Sequence, residues 1–95
     1  MPRRSRAARL WYRLEHTSPD GTVETSEARQ YPDMTELMRV TEIWSRASMR
    51  AGEAFTWYAN ESDRVKGWRA VLKLEIRKCI GGGLVLYPLP IGRSS

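Results

Sequence analysis

The spacing of apolar residues changes along the chain and predicts a helix between two groups of strands. From Leu10 to Thr17 apolar and polar residues alternate, the period of two that is typical of a half-buried strand. The segment Ser18–Gly21 (SPDG) predicts a turn, because proline favours a negative φ and glycine tolerates a positive one. The polar stretch Thr22–Gln30 then predicts a second strand, which we expect at an edge of the sheet.

From Met34 to about Ala51 the apolar spacing becomes helical. Asp33 and Glu36 form a capping-box pattern at the start of this helix, and Gly52 is a natural stop. The predicted buried arc holds Leu37, Val40, Trp44, Ala47 and Ala51, with Thr41 and Ser48 near its border.

Three further strands are predicted after the helix, at Ala54–Ala59, Arg69–Ile80 and Leu84–Tyr87. The triple glycine 81–83 turns the chain between the last two, and we expect the prolines at 88 and 90 to end the last strand. The core-facing side of the middle strand is predicted to hold Ala70, Leu72, Leu74, Ile76 and Ile80. Arg69, Lys73 and Arg77 are predicted to share its other face.

The element order β-β-α-β-β-β predicts an α+β domain. Its economical arrangement is a single antiparallel sheet of about five strands with the one helix packed on one face. We expect this domain to span residues 10–90, preceded by a flexible basic arm at 1–9 and followed by a short tail at 91–95. A homodimer that continues the sheet at an edge strand is a further hypothesis.

Composition narrows the class of protein. The 95 residues are 41% hydrophobic and 28% charged, as in an ordinary folded domain. A single cysteine excludes an intramolecular disulfide, which fits a reducing compartment. The basic start is followed by no apolar run of signal-peptide or membrane-span length, so we expect a soluble cytoplasmic protein.

Catalytic chemistry has little support in the sequence. One histidine, His16, excludes a metal site built on several histidines, and nothing in the spacing pairs it with Cys79 as a nucleophile. The triple glycine lacks the Gly-Lys-Ser/Thr of a phosphate loop, and the carboxylates occupy surface-type positions. We therefore expect a binding protein rather than an enzyme, with no catalytic residues, cofactor or metal.

The net charge of +5 is unevenly distributed. Residues 10–63 carry a net charge of −5, whereas residues 1–9 carry +4 and residues 64–80 carry +5. Basic residues with nearby aromatics such as Trp68, Trp57 or Tyr58 favour nucleic acid or a nucleoprotein complex as the partner. The predicted binding cations are Arg64, Lys66, Arg69, Lys73 and Arg77, together with Arg3, Arg4, Arg6 and Arg9 of the arm.

A second hypothesis belongs to another class. A small inhibitor or adaptor of mobile-element type would dock on an acidic protein surface, such as that of a nucleic-acid-handling enzyme. The helix supplies a candidate interface for it in Arg39, Arg46 and Arg50. The simpler interpretation of these arginines is ion pairing along the helix with Glu36 and Glu42. The charge pattern leaves DNA, RNA and protein open as partners.

Overall fold

The computed structural model describes residues 10–47, 50–63 and 66–91. The predictions for the arm at 1–9, for Ser48 and for tail residues 92–95 lie outside these ranges. The described elements are β1 (Trp11–Thr17), β2 (Val23–Thr25), β3 (Arg29–Gln30), α1 (Met34–Ala47), β4 (Ala54–Asn60), β5 (Arg69–Lys78) and β6 (Leu84–Leu89). Within the described ranges, no helix has the length and apolar character needed to cross a membrane.

All strands pair antiparallel in one sheet with the order β2-β1-β4-β5-β6, and β3 pairs with β1. The predicted α+β class, with a single antiparallel sheet and one helix on one of its faces, is confirmed. The predicted strand Thr22–Gln30 is broken into β2 and β3. Ser26 explains the break, because its hydroxyl accepts the hydrogen bond of the Leu14 amide at 2.9 Å, and this side chain replaces a main-chain partner.

The turn between β1 and β2 forms where the sequence predicts it. Ser18 and Thr22 close it with a main-chain hydrogen bond of 2.8 Å, and Gly21 adopts a φ of +95°. The carboxylate of Asp20 accepts the Thr22 amide at 3.0 Å, and this hydrogen bond lowers the pKa of Asp20. The turn therefore fixes the register of β1 against β2.

The core lies between α1 and the sheet face that it covers. The alternation predicted for β1 is confirmed, since Tyr12 and Leu14 are buried and their neighbours are less so. The buried apolar cluster consists of Tyr12, Leu14, Leu37, Phe55, Trp57, Ala59, Leu74 and Ile76.

The buried side of α1 differs from the predicted arc. Leu37, Thr41 and Ser45 are buried, whereas Trp44 is 45% exposed. Thr41 can be buried because its hydroxyl donates to the Leu37 carbonyl at 2.7 Å and accepts from Trp57 Nε1 at 2.7 Å. The described helix is Met34–Ala47, and the exposed Ala51 lies in a turn before β4, so the predicted extension to residue 51 is wrong.

A bulge changes the alternation at the start of β5. The register pairs Trp57 with Leu72 but Tyr58 with Ala70, so one residue of β5 is extra. Ala70 therefore shares the face of Tyr58, and Arg69 lies opposite the core residue Ala59. The predicted faces of Ala70 and Arg69 are wrong for this reason.

The ends of β5 and β6 also differ from the prediction. β5 stops at Lys78, and Ile80 is fully exposed in the following turn rather than facing the core. β6 continues to Leu89, so Pro88 does not end it. Because β6 is an edge strand, a proline without an amide hydrogen is tolerated there.

Candidate functional site

The sheet face opposite α1 is open and carries basic and aromatic side chains from four strands and a loop. The strand register places Arg13 opposite Tyr58, Lys73 opposite Thr56, and Tyr87 opposite Glu75. These side chains lie on the open face because the alternate positions of the same strands fill the core. The open-face band is defined as Arg13, Tyr58, Trp68, Lys73, Arg77 and Tyr87.

Two guanidinium groups of the open-face band lie against aromatic rings. The Cζ atom of Arg13 is 4.5 Å from the Trp68 ring centroid, and that of Arg77 is 4.3 Å from the Tyr87 ring centroid. Such contacts contribute about 0.5–1 kcal/mol at exposed sites and hold the guanidinium plane in place. The band therefore presents two arginine–aromatic pairs whose planar groups are held in place.

Two carboxylates share this face. Arg77 Nε donates to Glu75 Oε1 at 2.8 Å, and the Tyr58 hydroxyl donates to Glu15 Oε1 at 3.3 Å. Burial raises the pKa of Tyr58, and the Glu15 carboxylate raises it further. The cations of the open-face band thus share their face with carboxylates, and the net positive charge of this face is small.

Two shallow cavities of about 380 and 350 Å³ lie on the open face, and Glu15 and Tyr58 line both. Pro90 and Ile91 return over the sheet to form part of the larger one. These volumes are at the lower end of the range of about 300–1,000 Å³ for small-molecule sites. Flat ligand groups of the size of a base or an aromatic side chain therefore have room beside Tyr58.

The predicted nucleic-acid-binding residues fall in different places. Lys73 and Arg77 belong to the open-face band, whereas Arg69 is exposed on the other face because of the bulge. Lys66 is exposed in the loop before β5, and its carbonyl accepts from Asn60 Nδ2 at 2.7 Å. The predicted residues outside the described ranges are Arg64, Arg3, Arg4, Arg6 and Arg9.

The residues predicted to stack on bases also lie in different places. Trp57 is 1% exposed in the core, so its prediction as a stacking platform is wrong. Trp68 and Tyr58 are half-buried on the open face, as the sequence hypothesis requires. Arg13 and Tyr87 were missed because the strand register that brings them beside these residues is a long-range property of the fold.

The arginines of the alternative interface are separated by the end of the helix. Arg39 forms the predicted pair with Glu36 at 2.6 Å. Arg46 is exposed in the last turn of α1, and Arg50 lies beyond it, where its Nη2 is 3.4 Å from Glu53 Oε2. The predicted stripe of three on one helix face is therefore not formed.

A buried carboxylate lies on the helix side of the sheet, where the sequence predicted none. Glu53 is 1% exposed; its Oε2 is hydrogen-bonded to His16 Nε2 at 2.7 Å, and its Oε1 accepts from the Arg50 amide at 3.1 Å. The His16 ring stacks on Phe55 with centroids 4.9 Å apart. The prediction that the carboxylates occupy only surface positions is wrong for Glu53, because its partners come from distant β1 and from the turn before it.

The Glu53–His16 pair borders a cavity of about 300 Å³ between α1 and the β1–β2 edge. This cavity has apolar, aromatic and acidic walls, and it is called the acidic cavity below. The residues that line it are Leu14, His16, Glu24, Thr25, Ser26, Trp44, Glu53 and Phe55.

The lone cysteine lies apart from His16. Cys79 Sγ donates to the Gly83 carbonyl at 3.1 Å in the β5–β6 turn, while His16 is engaged with Glu53. Within residues 10–47, 50–63 and 66–91, no group of three or more His, Cys, Asp or Glu residues is arranged to hold a metal ion.

No protein-family model matches this chain, and comparisons with curated proteins and with solved structures found no significant match. A function for this chain is therefore inferred from the geometry of the open-face band and of the acidic cavity.

Proposed function

We propose that the protein is a small non-catalytic binding module for nucleic acid, alone or within a nucleoprotein complex, and that it uses the open face of its sheet. The observation that carries this proposal is the pairing of arginines with aromatic rings, Arg13 with Trp68 and Arg77 with Tyr87, on one uncovered face. Such a surface offers stacking to bases and charge to phosphates. Single strands suit it best, because their bases are free to stack.

The open-face band has the length of an extended contact. Arg13 lies on β1 at the level of Tyr58, while Arg77 lies on β5 beyond the level of Ala54. Six residues along the strands and two strand spacings across the sheet give a diagonal of about 22 Å. Lys73 lies between the two ends, so a single-stranded nucleic acid that follows this diagonal contacts Arg13, Lys73 and Arg77.

Stacking is expected to contribute as much as charge. Glu15 and Glu75 offset much of the positive charge of the open-face band. Base stacking on an aromatic side chain contributes about 1–3 kcal/mol per base. Residues 1–9 carry four arginines, and residues 64–80 hold further basic residues outside the open-face band, so both stretches supply additional cations for phosphates.

Docking on an acidic protein through the helix has weaker support. Arg39 and Arg50 already contact carboxylates of their own chain, and Arg50 lies outside the helix. Partners of this kind reduce the charge that is available to an external surface.

The test is fluorescence anisotropy of labelled single-stranded DNA and RNA at several salt concentrations. At about 0.7 per phosphate contact, three cations of the open-face band give a slope of log K against log salt of about −2, and four arm arginines extend it to about −5. The variant Arg13→Gln/Lys73→Gln/Arg77→Gln is expected to reduce the slope by about 2.

The matched control is Arg39→Gln/Arg46→Gln/Arg50→Gln, which removes the same charge from the alternative interface. We expect it to change the slope by less than half as much as the triple variant of the open-face band. If the two triple variants reduce the slope equally, binding depends only on the net charge of the protein and not on the open-face band. If the protein binds neither the DNA nor the RNA oligonucleotide at low salt, the proposal is refuted.

A further inference from the structure

The acidic cavity lies on the opposite side of the sheet from the open-face band, and its chemistry is different. Glu53 and Glu24 both line it; among the residues that the structure describes, no arginine or lysine lines it, although Arg50 Nη2 lies 3.4 Å from Glu53 Oε2. A phosphate placed there would meet two carboxylates. We propose that this cavity binds a guanidinium group, such as the end of an arginine side chain.

The flat wall of the cavity is the indole ring of Trp44. This ring stacks on Trp57 with centroids 6.2 Å apart and an interplanar angle of 25°, yet Trp44 remains 45% exposed. Tryptophan is the preferred ring for cation–π contacts, and a guanidinium is planar and weakly hydrated. A guanidinium can therefore lie against Trp44 at little desolvation cost.

Glu24 supplies the acceptor. Its side chain is 77% exposed, and its Oε1 is 3.8 Å from His16 Nδ1, beyond hydrogen-bond distance. Glu53, in contrast, is engaged by His16 Nε2 and by Arg50. The Glu24 carboxylate thus keeps acceptor capacity for the two parallel N–H groups that a guanidinium presents.

The cavity is formed in advance of binding. Ser26 is fixed to Leu14 through both its amide and its hydroxyl, at 2.9 Å in each case. Glu53 is fixed by main-chain bonding to Ile76 at 2.8 Å and by its bond to His16. A preformed site loses little conformational entropy when the ligand enters, which favours binding of a single side chain.

The test uses N-acetyl-arginine amide and its neutral isostere N-acetyl-citrulline amide, titrated into the full chain and followed by ¹H–¹⁵N NMR. The arginine probe is expected to shift the Trp44 indole signal and the amide signals of residues 24–26. The citrulline probe is expected to bind about tenfold more weakly, because it cannot form charge-assisted bonds.

The test variant is Glu24→Gln, which should leave the fold intact because the Glu24 side chain is 77% exposed. It is expected to weaken binding of the arginine probe about tenfold. The control Glu61→Gln removes another exposed carboxylate, at the other end of the sheet, and is expected to leave that affinity unchanged.

A second arm of the experiment identifies the source of the guanidinium. The chain itself has arginines at positions 3, 4, 6 and 9, outside the described residues. If these compete for the cavity, replacing all four by glutamine tightens binding of the probe, whereas an unchanged affinity assigns the site to a partner's arginine. Equal binding of the arginine and citrulline probes, or no shift around Trp44 at tens of millimolar probe, would overturn the proposal.

Discussion

Replacing Thr41 by valine removes a hydroxyl that joins the helix to the sheet inside the core. Thr41 and Trp57 are almost completely buried, and Trp57 Nε1 donates to the Thr41 hydroxyl at 2.7 Å. Valine has nearly the same shape, so the change creates little cavity, but it leaves the indole N–H without an acceptor. An unsatisfied buried donor costs about 1–3 kcal/mol. We expect Thr41→Val to lower the free energy of unfolding by this amount.

Urea denaturation followed by circular dichroism measures this free energy. A double-mutant cycle with Trp57→Phe isolates the hydrogen bond, because phenylalanine has no N–H to leave unpaired. In that background Thr41→Val is expected to cost at least about 1 kcal/mol less than in the wild-type chain. If Thr41→Val is as stable as the wild type, or costs the same in both backgrounds, the hydroxyl does not hold the indole in the folded protein.

Two further predictions concern Tyr58 and Gly67. Because the pKa of Tyr58 is raised in the folded state, its contribution to stability is complete below the ordinary tyrosine pKa and is lost as the pH rises through the folded pKa. Ultraviolet titration should show one tyrosine that ionises at higher pH than ordinary tyrosines. Glu15→Gln should lower the pKa of Tyr58 only in part, since burial is the larger cause of its shift. An unchanged pKa in this variant would contradict the contact with Glu15. Gly67 has a φ of +97°, and an added Cβ would lie 2.9 Å from Asn60 Oδ1, so Gly67→Ala should cost about 1–3 kcal/mol in urea unfolding. Gly81→Ala, with no neighbour within 4 Å, should cost less than about 0.5 kcal/mol, and equal costs would refute the argument from strain.

The local pattern of the sequence predicts the helix and the strands, but not how they pair and pack against one another. Alternation identifies β1, and the change to a helical spacing identifies α1. The bulge in β5, opposite Trp57 and Tyr58, has no local signal because it arises from pairing with β4, and it reverses the faces of Ala70 and Arg69. A hydrophobicity pattern also misplaces the buried side of the helix, because it treats Thr41 as polar although the Leu37 carbonyl and the distant Trp57 indole satisfy its hydroxyl.

The candidate surfaces are predicted less completely than the fold. Lys73, Arg77 and Trp68 can be proposed from charge and composition. The partners Arg13 and Tyr87 depend on strands that are distant in sequence and become neighbours only through the sheet order. The acidic cavity is invisible in the sequence for the same reason, since its walls come from β1, β2, α1 and β4.

The two sheet edges have a consequence for how other chains can approach. One edge is divided into the short strands β2 and β3, and the other carries Pro88, which has no amide hydrogen to offer. Interrupted and proline-bearing edges discourage lateral growth of a sheet by a second chain, a common route to aggregation. Both features are expected to hinder a homodimer that continues the sheet, which stays a hypothesis. The surfaces left for other molecules are the open face, which is basic and aromatic, and the acidic cavity between α1 and the β1–β2 edge, so ligands at the two proposed sites would not overlap.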